Sequence, residues 1–167
     1  MSRPKPIELT FRVARASEHD LLEIVEIEQE CGLSPWGWDG YYKELTQQPD
    51  AFMFVAELLP KPAGFHPQLG GFITSRMAAD EVHIHNFGTR PALRRLGVGG
   101  ALLRAAMLYG AERGAVKAFL EVRASNAAAQ AVYARQGFAV VGRRKNYYDQ
   151  PTEDAVMMLA DLSERGA

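Results

Sequence analysis

Apolar and polar residues alternate along residues 7–14, 52–59, 70–77, 81–89 and 116–122, the two-residue period of half-buried strands. Between the first two, Leu21, Ile24, Val25 and Ile27 recur at three-to-four-residue spacing, which predicts a helix from Ser17 as cap to about Glu30, stopped by Gly32. A shorter helix is expected over 41–47, after Pro35-Trp36-Gly37-Trp38. Pro60-Lys61-Pro62-Ala63-Gly64 marks a loop. Further on, the pattern predicts helices over 101–113 and 126–136, the second capped by Ser125 and ended by Gly137. A last pair of strands, 138–142 and 155–159, is expected to be joined by a polar loop holding Tyr147 and Tyr148. The order is one strand, two helices, three strands, then helix, strand, helix and two strands. It describes an α/β (α+β) chain with a mixed sheet, expected to fold as a single domain over 1–167 with its core at about 7–162.

The segment between the strand at 81–89 and the following helix carries the most chemistry. Arg94-Arg95-Leu96-Gly97-Val98-Gly99-Gly100-Ala101 places glycines where a backbone can approach an anion, just before a helix N-terminus with unbonded N–H groups. That is a phosphate cradle, or else a tight turn with solvated arginines. It is neither a dinucleotide fingerprint, because Leu102 stands where a third glycine is needed, nor a P-loop, because no Lys-Ser/Thr pair precedes the helix. A phosphate held only for position, with the chemistry elsewhere on the ligand, points to a carrier such as coenzyme A.

Composition narrows the setting. Hydrophobic residues make up 47% and charged residues 23% of 167, which argues against disorder. No apolar stretch nears the ~20 residues of a membrane span, and no apolar segment follows the first residues as in a secretory leader. With one cysteine, Cys31, at helical spacing with Ile24 and Ile27, the expected compartment is the cytoplasm and the expected place of Cys31 is the core. Net charge is −1, but residues 1–85 hold −6 and residues 86–167 hold +5. Residues 16–42 contain Glu18, Asp20, Glu23, Glu26, Glu28, Glu30 and Asp39 and no Lys or Arg, so they form either a solvated helix face or an electrostatic guide for a cationic substrate. Neither nucleic acid nor membrane is an expected partner. His83 and His85 share a strand face without a third ligand nearby, so no metal is assigned. Trp36, Trp38, Tyr41 and Tyr42 either wall a groove or pin two helices to the sheet.

Strand, Arg-Arg-x-Gly-x-Gly and helix, then Leu120-Glu121-Val122-Arg123-Ala124-Ser125-Asn126, Tyr133, Gly137-Phe138 and Arg144-Lys145-Asn146-Tyr147-Tyr148 resemble the GNAT superfamily of acyl-CoA-dependent N-acyltransferases. Within it the chain is most similar to the bacterial ribosomal-protein-alanine N-acetyltransferases, from Phe11 to Leu162. The resemblance implies a mostly antiparallel sheet flanked by helices and acetyl-CoA as co-substrate. It implies that Phe87, Gly88 and Thr89 lie along the pantetheine arm, that Arg94, Arg95, Leu96, Gly97, Val98, Gly99 and Gly100 hold the pyrophosphate, and that Asn126 hydrogen-bonds the carrier. Glu121 matches the family's general base and Tyr133 its acid. The implied acceptor is the N-terminal amine of a basic protein, an alanine-starting ribosomal protein. A small-molecule amine or protein lysine is the alternative acceptor, and a non-catalytic acyl-CoA sensor the alternative of another class. Two departures stand out. The family strand reads Asn-Ile-Ala-Val where this chain has Asn86-Phe87-Gly88-Thr89, with Gly88 expected to loosen it, and the basic residues common at the positions of Leu96 and Gly100 are missing.

The chemistry suits those residues. An α-amine has pKa about 7.7–8.0 against about 10.4 for lysine, so a nearby carboxylate takes its proton at little cost. Glu121 ends a strand at what reads as the rim of a site, unless it only pairs with Arg123 or another surface cation. Tyr133 either donates to a departing sulfur or packs as a core aromatic beside Val132 and Phe138.

Overall fold

In the computed structural model, which describes residues 9–61 and 67–164, the alternating segments pair into one sheet and the helices cover both of its faces. The strands are β1 (Thr10–Arg15), β2 (Ala51–Leu59), β3 (Leu69–Ala78), β4 (Glu81–Thr89), β5 (Lys117–Arg123), β6 (Ala139–Tyr148) and β7 (Glu153–Asp161). The α-helices are α1 (Leu21–Glu30), α2 (Gly37–Gln47), α3 (Val98–Ala111) and α4 (Ala127–Arg135). In space the strands run β1-β2-β3-β4-β5-β7-β6. Every neighbouring pair is antiparallel except β4 and β5, which are joined through α3 as a parallel crossover requires.

The period-two pattern divides the core into two layers. On β2 and β3, Phe52, Ala56 and Ile73 face one cluster with Leu102, Leu103 and Met107 of α3. Their neighbours Met53, Val55 and Phe72 face the other, with Leu21, Ile24 and Ile27 of α1 and Tyr41 of α2. Each fully buried Leu, Ile or Phe contributes roughly 1.5–3 kcal/mol, and the two layers hold the central strands from both sides.

The element order is as the sequence predicts, and several boundaries differ for local reasons. Residues 7 and 8 of the expected first strand and residues 62–64 of the expected loop lie outside the described residues. Helix α2 begins at Gly37, not at residue 41, because the Glu28 carboxylate of α1 accepts from the N–H groups of Trp36 (3.0 Å) and Gly37 (3.4 Å) and so caps it. Helix α3 begins at Val98, not at residue 101, preceded by a 3₁₀ turn over Pro91–Leu96. Helix α4 is capped by Asn126, not Ser125; Asn126 Oδ1 accepts from Ala129 N at 3.1 Å, while Ser125 N donates to Glu153. Tyr147 and Tyr148 lie on β6 and not in a loop, since the last hairpin is longer at both ends than its apolar pattern.

Two irregularities open the middle of the sheet. β4 and β5 pair only from Glu81–His83 to Lys117–Phe119, after which they diverge. On its other side β4 carries a bulge, the register passing from Ile73 opposite Phe87 to Ser75 opposite Ile84. Thr74 fills it: its Oγ1 accepts from Asn86 N at 2.9 Å and donates to Asn86 O at 3.2 Å. The extra residue bends β4, leaving its second half without a strand neighbour toward β5.

Candidate active site

The divergence of β4 and β5 is where the singled-out residues converge. Gly97 takes φ +79° as N-cap of α3, the left-handed region that favours glycine, and the first intrahelical bond runs from Ala101 N to Gly97 O at 3.1 Å. The N–H groups of Val98, Gly99 and Gly100 therefore precede the helix ladder, with the positive end of the helix dipole behind them. A Cβ on Gly99 would stand 3.2 Å from Phe87 Cζ and 3.5 Å from Thr89 Oγ1, so this end of α3 sits directly on the open half of β4. Leu96 and Arg95 are exposed beside it. Arg94 turns back to the strand, its Nε 3.4 Å from Thr89 O. Gly88 does not loosen β4; it admits α1, since a Cβ there would meet Cys31 Sγ and Leu33 Cδ1 at 3.2 Å and Ile27 Cγ2 at 3.3 Å. Cys31 is thereby half-buried against β4, and desolvation pushes its thiol pKa up.

Glu121 and Tyr133 border the same gap from opposite faces of the sheet. Ala118, Leu120 and Val122 of β5 face the α3 layer, so Glu121 projects to the α1–α2 side. Tyr133 of α4 lies in the α3 layer, its ring 5.9 Å from Phe87 and 6.0 Å from Phe138. Burial drives its phenol pKa well up, with Tyr148 adding to it, so Oη keeps its proton. Tyr133 thus packs as a core aromatic. The partner of Glu121 is Arg144 and not Arg123: Arg144 Nε stands 3.0 Å from Glu121 Oε1. The Glu121 carboxylate also acts on Tyr147 and raises the phenol's pKa. Tyr148 is pushed up to about 12, first by burial and then by the Glu121 charge. Arg123 instead ties down the β6–β7 turn through Asp149 O, Pro151 O and Glu153. Asn126 follows β5 and has its Oδ1 committed to the cap of α4, which leaves the amide N–H groups as its side-chain donors.

Much of the acidic segment is paired within the protein. Glu23, Glu26 and Glu30, spaced along one face of α1, converge on Arg90 at 2.9, 3.1 and 2.8 Å; the Arg90 side chain is 7% exposed and its Nε donates to Leu69 O. Glu28 accepts from Tyr41 Oη at 2.5 Å, and Tyr41 Oη accepts in turn from Asn86 Nδ2 at 2.9 Å. The guide for a cationic substrate is therefore reduced to the carboxylates outside these networks. Of the aromatic cluster, Tyr41 pins α2 to Phe72 of the sheet, while Trp36 reaches His85 at 6.0 Å and Trp38 stacks on Tyr42 at 4.9 Å. Desolvation lowers the pKa of His85, and His83 is held by Glu81 at 2.8 Å.

Sequence reasoning missed Arg90, Arg104 and Gln136. A Cβ on Gly100 would stand 3.2 Å from both Arg104 Nη1 and Gln136 Nε2, so these donors hang over the first turn of α3. The signal for Arg104 was its position one helical turn after Gly100, because helix side chains lean toward the N-terminus. The signal for Arg90 was the repeat of glutamates at 23, 26 and 30. Gln136 had none.

Comparison with known proteins places this geometry. Residues 21–138 match the Acetyltransferase (GNAT) family. The chain is 38% identical to ribosomal protein bS18-alanine N-acetyltransferase of Escherichia coli K12 over 86% of its own length and 93% of that protein. It is similar to the crystal structure of the ribosomal-protein-S18-alanine N-acetyltransferase from Escherichia coli, with TM-score 0.78 and 29% identity over 92% of this chain and 95% of that one. It also shares its fold with Arabidopsis thaliana NAA60 in complex with acetyl-CoA, at TM-score 0.80 and 19% identity over 91% and 98% of the two chains.

Proposed function

The chain belongs to the GNAT acetyltransferase family, and from that premise we propose that it moves an acetyl group from acetyl-CoA to the α-amine of a protein N-terminus, that of an alanine-starting ribosomal protein. The observation that carries the reading is the gap between β4 and β5, with a helix N-terminus at one end, a carboxylate on one face and a protonated phenol on the other. The name of the 38% identical relative supports the acceptor.

The residues present fit an acyl carrier. The N–H groups of Val98, Gly99 and Gly100 would hold its pyrophosphate, with Gly97 shaping the turn and Arg94, Arg95 and Leu96 flanking it, and Arg104 and Gln136 add donors above Gly100. The unpaired edge of β4 at Phe87, Gly88 and Thr89 would receive an amide-bearing arm as a sheet edge receives a strand. Asn126 would donate through its free amide. Bound acetyl-CoA supplies an activated thioester carbonyl.

Glu121 accepts the proton that the attacking amine releases, directly or through one water. An α-amine is often neutral on arrival because its pKa lies near neutrality, so the proton Glu121 takes is the one nitrogen sheds as the new C–N bond forms. Tyr133 offers Oη–H as a hydrogen bond to the leaving sulfur. Full transfer from a phenol of raised pKa to a thiolate is uphill, so Tyr133 stabilises the thiolate and need not protonate it at once.

Thiol release from acetyl-CoA, measured against alanine-starting basic peptides, lysine peptides with blocked N-termini, polyamines and free amino acids, tests the proposal. Turnover confined to the free N-terminal peptides is expected. Turnover only on small amines overturns the acceptor, and acetyl-CoA binding without turnover on any amine favours a sensor.

A further inference from the structure

Arg144 is paired with Glu121, the base of the proposed reaction, at 3.0 Å. β6 is an edge strand, and its register slips from Arg144 opposite Ala155 to Tyr148 opposite Glu153, leaving two extra residues on β6. Asn146, at φ +52°, fixes that bulge by donating its N–H to Asp154 Oδ1 at 3.0 Å. The bulge brings both Arg144 and Tyr147 across β7 to Glu121. The guanidinium also stands over the Tyr147 ring, 5.8 Å from its centroid. Arg144 is 52% exposed and Glu121 14%, so the arginine covers a recessed carboxylate from the solvent side. An ion pair this exposed contributes little to stability. Its consequence is electrostatic: the carboxylate that takes the acceptor's proton already faces one fixed cation. His85, Tyr147 and Tyr148 are the other titratable groups on which the Glu121 charge acts.

A lysine side chain arrives as an ammonium, with pKa about 10.4, and at pH 7.5 only about one in a thousand is neutral. An α-amine at about 7.7–8.0 is neutral in about a quarter to two-fifths of molecules. A second cation at Glu121 is repelled by the guanidinium, and a neutral amine is not. Resting on the acetyl-transfer reading above, we propose that Arg144 is a specificity-determining residue that admits α-amines to Glu121 and turns away lysine ammonium groups.

The test compares kcat/KM for an alanine-starting peptide with that for the same peptide carrying a blocked N-terminus and one lysine, in wild type, Arg144→Gln and Arg144→Lys. Arg144→Gln is expected to lower the α-to-lysine preference about tenfold, mainly by raising lysine acetylation, a change of about 1.4 kcal/mol in discrimination. Arg144→Lys keeps the charge and is expected to keep the preference. An unchanged preference in Arg144→Gln, a preference lost equally in Arg144→Lys, or an equal loss of both activities overturns the proposal while leaving the proposed function standing. A wild-type enzyme silent on the alanine peptide overturns both.

Discussion

The α1–α2 side and the β4–β5 gap use charge in opposite ways. On the α1 side carboxylates meet their complements inside the protein: three surround Arg90, Glu28 takes Tyr41 and two backbone N–H groups, and Glu44 takes Arg76. At the gap, three backbone N–H groups at the start of α3 precede its ladder, the second half of β4 has no strand beside it on the β5 side, and Arg95 and Arg104 carry no acidic partner among the described residues. A region whose charges are matched internally holds the fold. A region whose backbone donors are left outside the helix ladder is where the proposed carrier would bind.

The comparison breaks most directly at Glu121. Glu121→Gln keeps the shape and removes the proton acceptor, and turnover at saturating acetyl-CoA and peptide is expected to fall about 10²–10⁴-fold. A stopped-flow or thiol-release assay giving wild-type turnover would move the base elsewhere. On the other side, Arg90→Ala leaves three carboxylates and Leu69 O around an empty site, and stability measured by urea denaturation is expected to fall by about 3–5 kcal/mol. A loss below about 1 kcal/mol would make that cluster a solvated surface and erase the contrast.

Two smaller effects sharpen it. Gly99→Val pushes a side chain toward Phe87 and Thr89, and calorimetry is expected to show acetyl-CoA binding weakened about tenfold with turnover of the saturated enzyme little changed. Equal affinity would place the phosphate away from α3. The smallest effect is a pH dependence. Tyr148 has its folded pKa raised from 10.0 to about 12, so the unfolded chain sheds this proton first; its share of stability is complete below about pH 10 and is lost as pH rises through 12. The drop in stability between pH 9 and pH 11.5 is expected to be shallower in Tyr148→Phe than in wild type, and matching slopes would mean a solvated phenol.

The fold was legible in the sequence to the extent that burial has a period. β4 can be read to the residue from its alternation, and the glycine turn from its composition, because Gly97 must adopt a positive φ and nothing but local chemistry decides it. The helix starts were less legible. Gly37 opens α2 only because a carboxylate nine residues earlier caps it, and Asn126 displaced Ser125 as a cap because Glu153, 28 residues on, took the Ser125 N–H. Tyr147 and Tyr148 read as a loop because two bulges in β6 destroy its alternation.

The sequence alone determined the element order and the glycine turn before α3, because periodicity and glycine content are properties of near neighbours along the chain, while Glu121 and Tyr133 were marked by the resemblance of their motifs to a family. Only the tertiary structure decided which charges would be spent on one another. Arg90 among the glutamates of α1 and Arg144 against Glu121 are pairings across sheets and turns. Their partners are chosen by where strands diverge and bulge, and no local pattern records that.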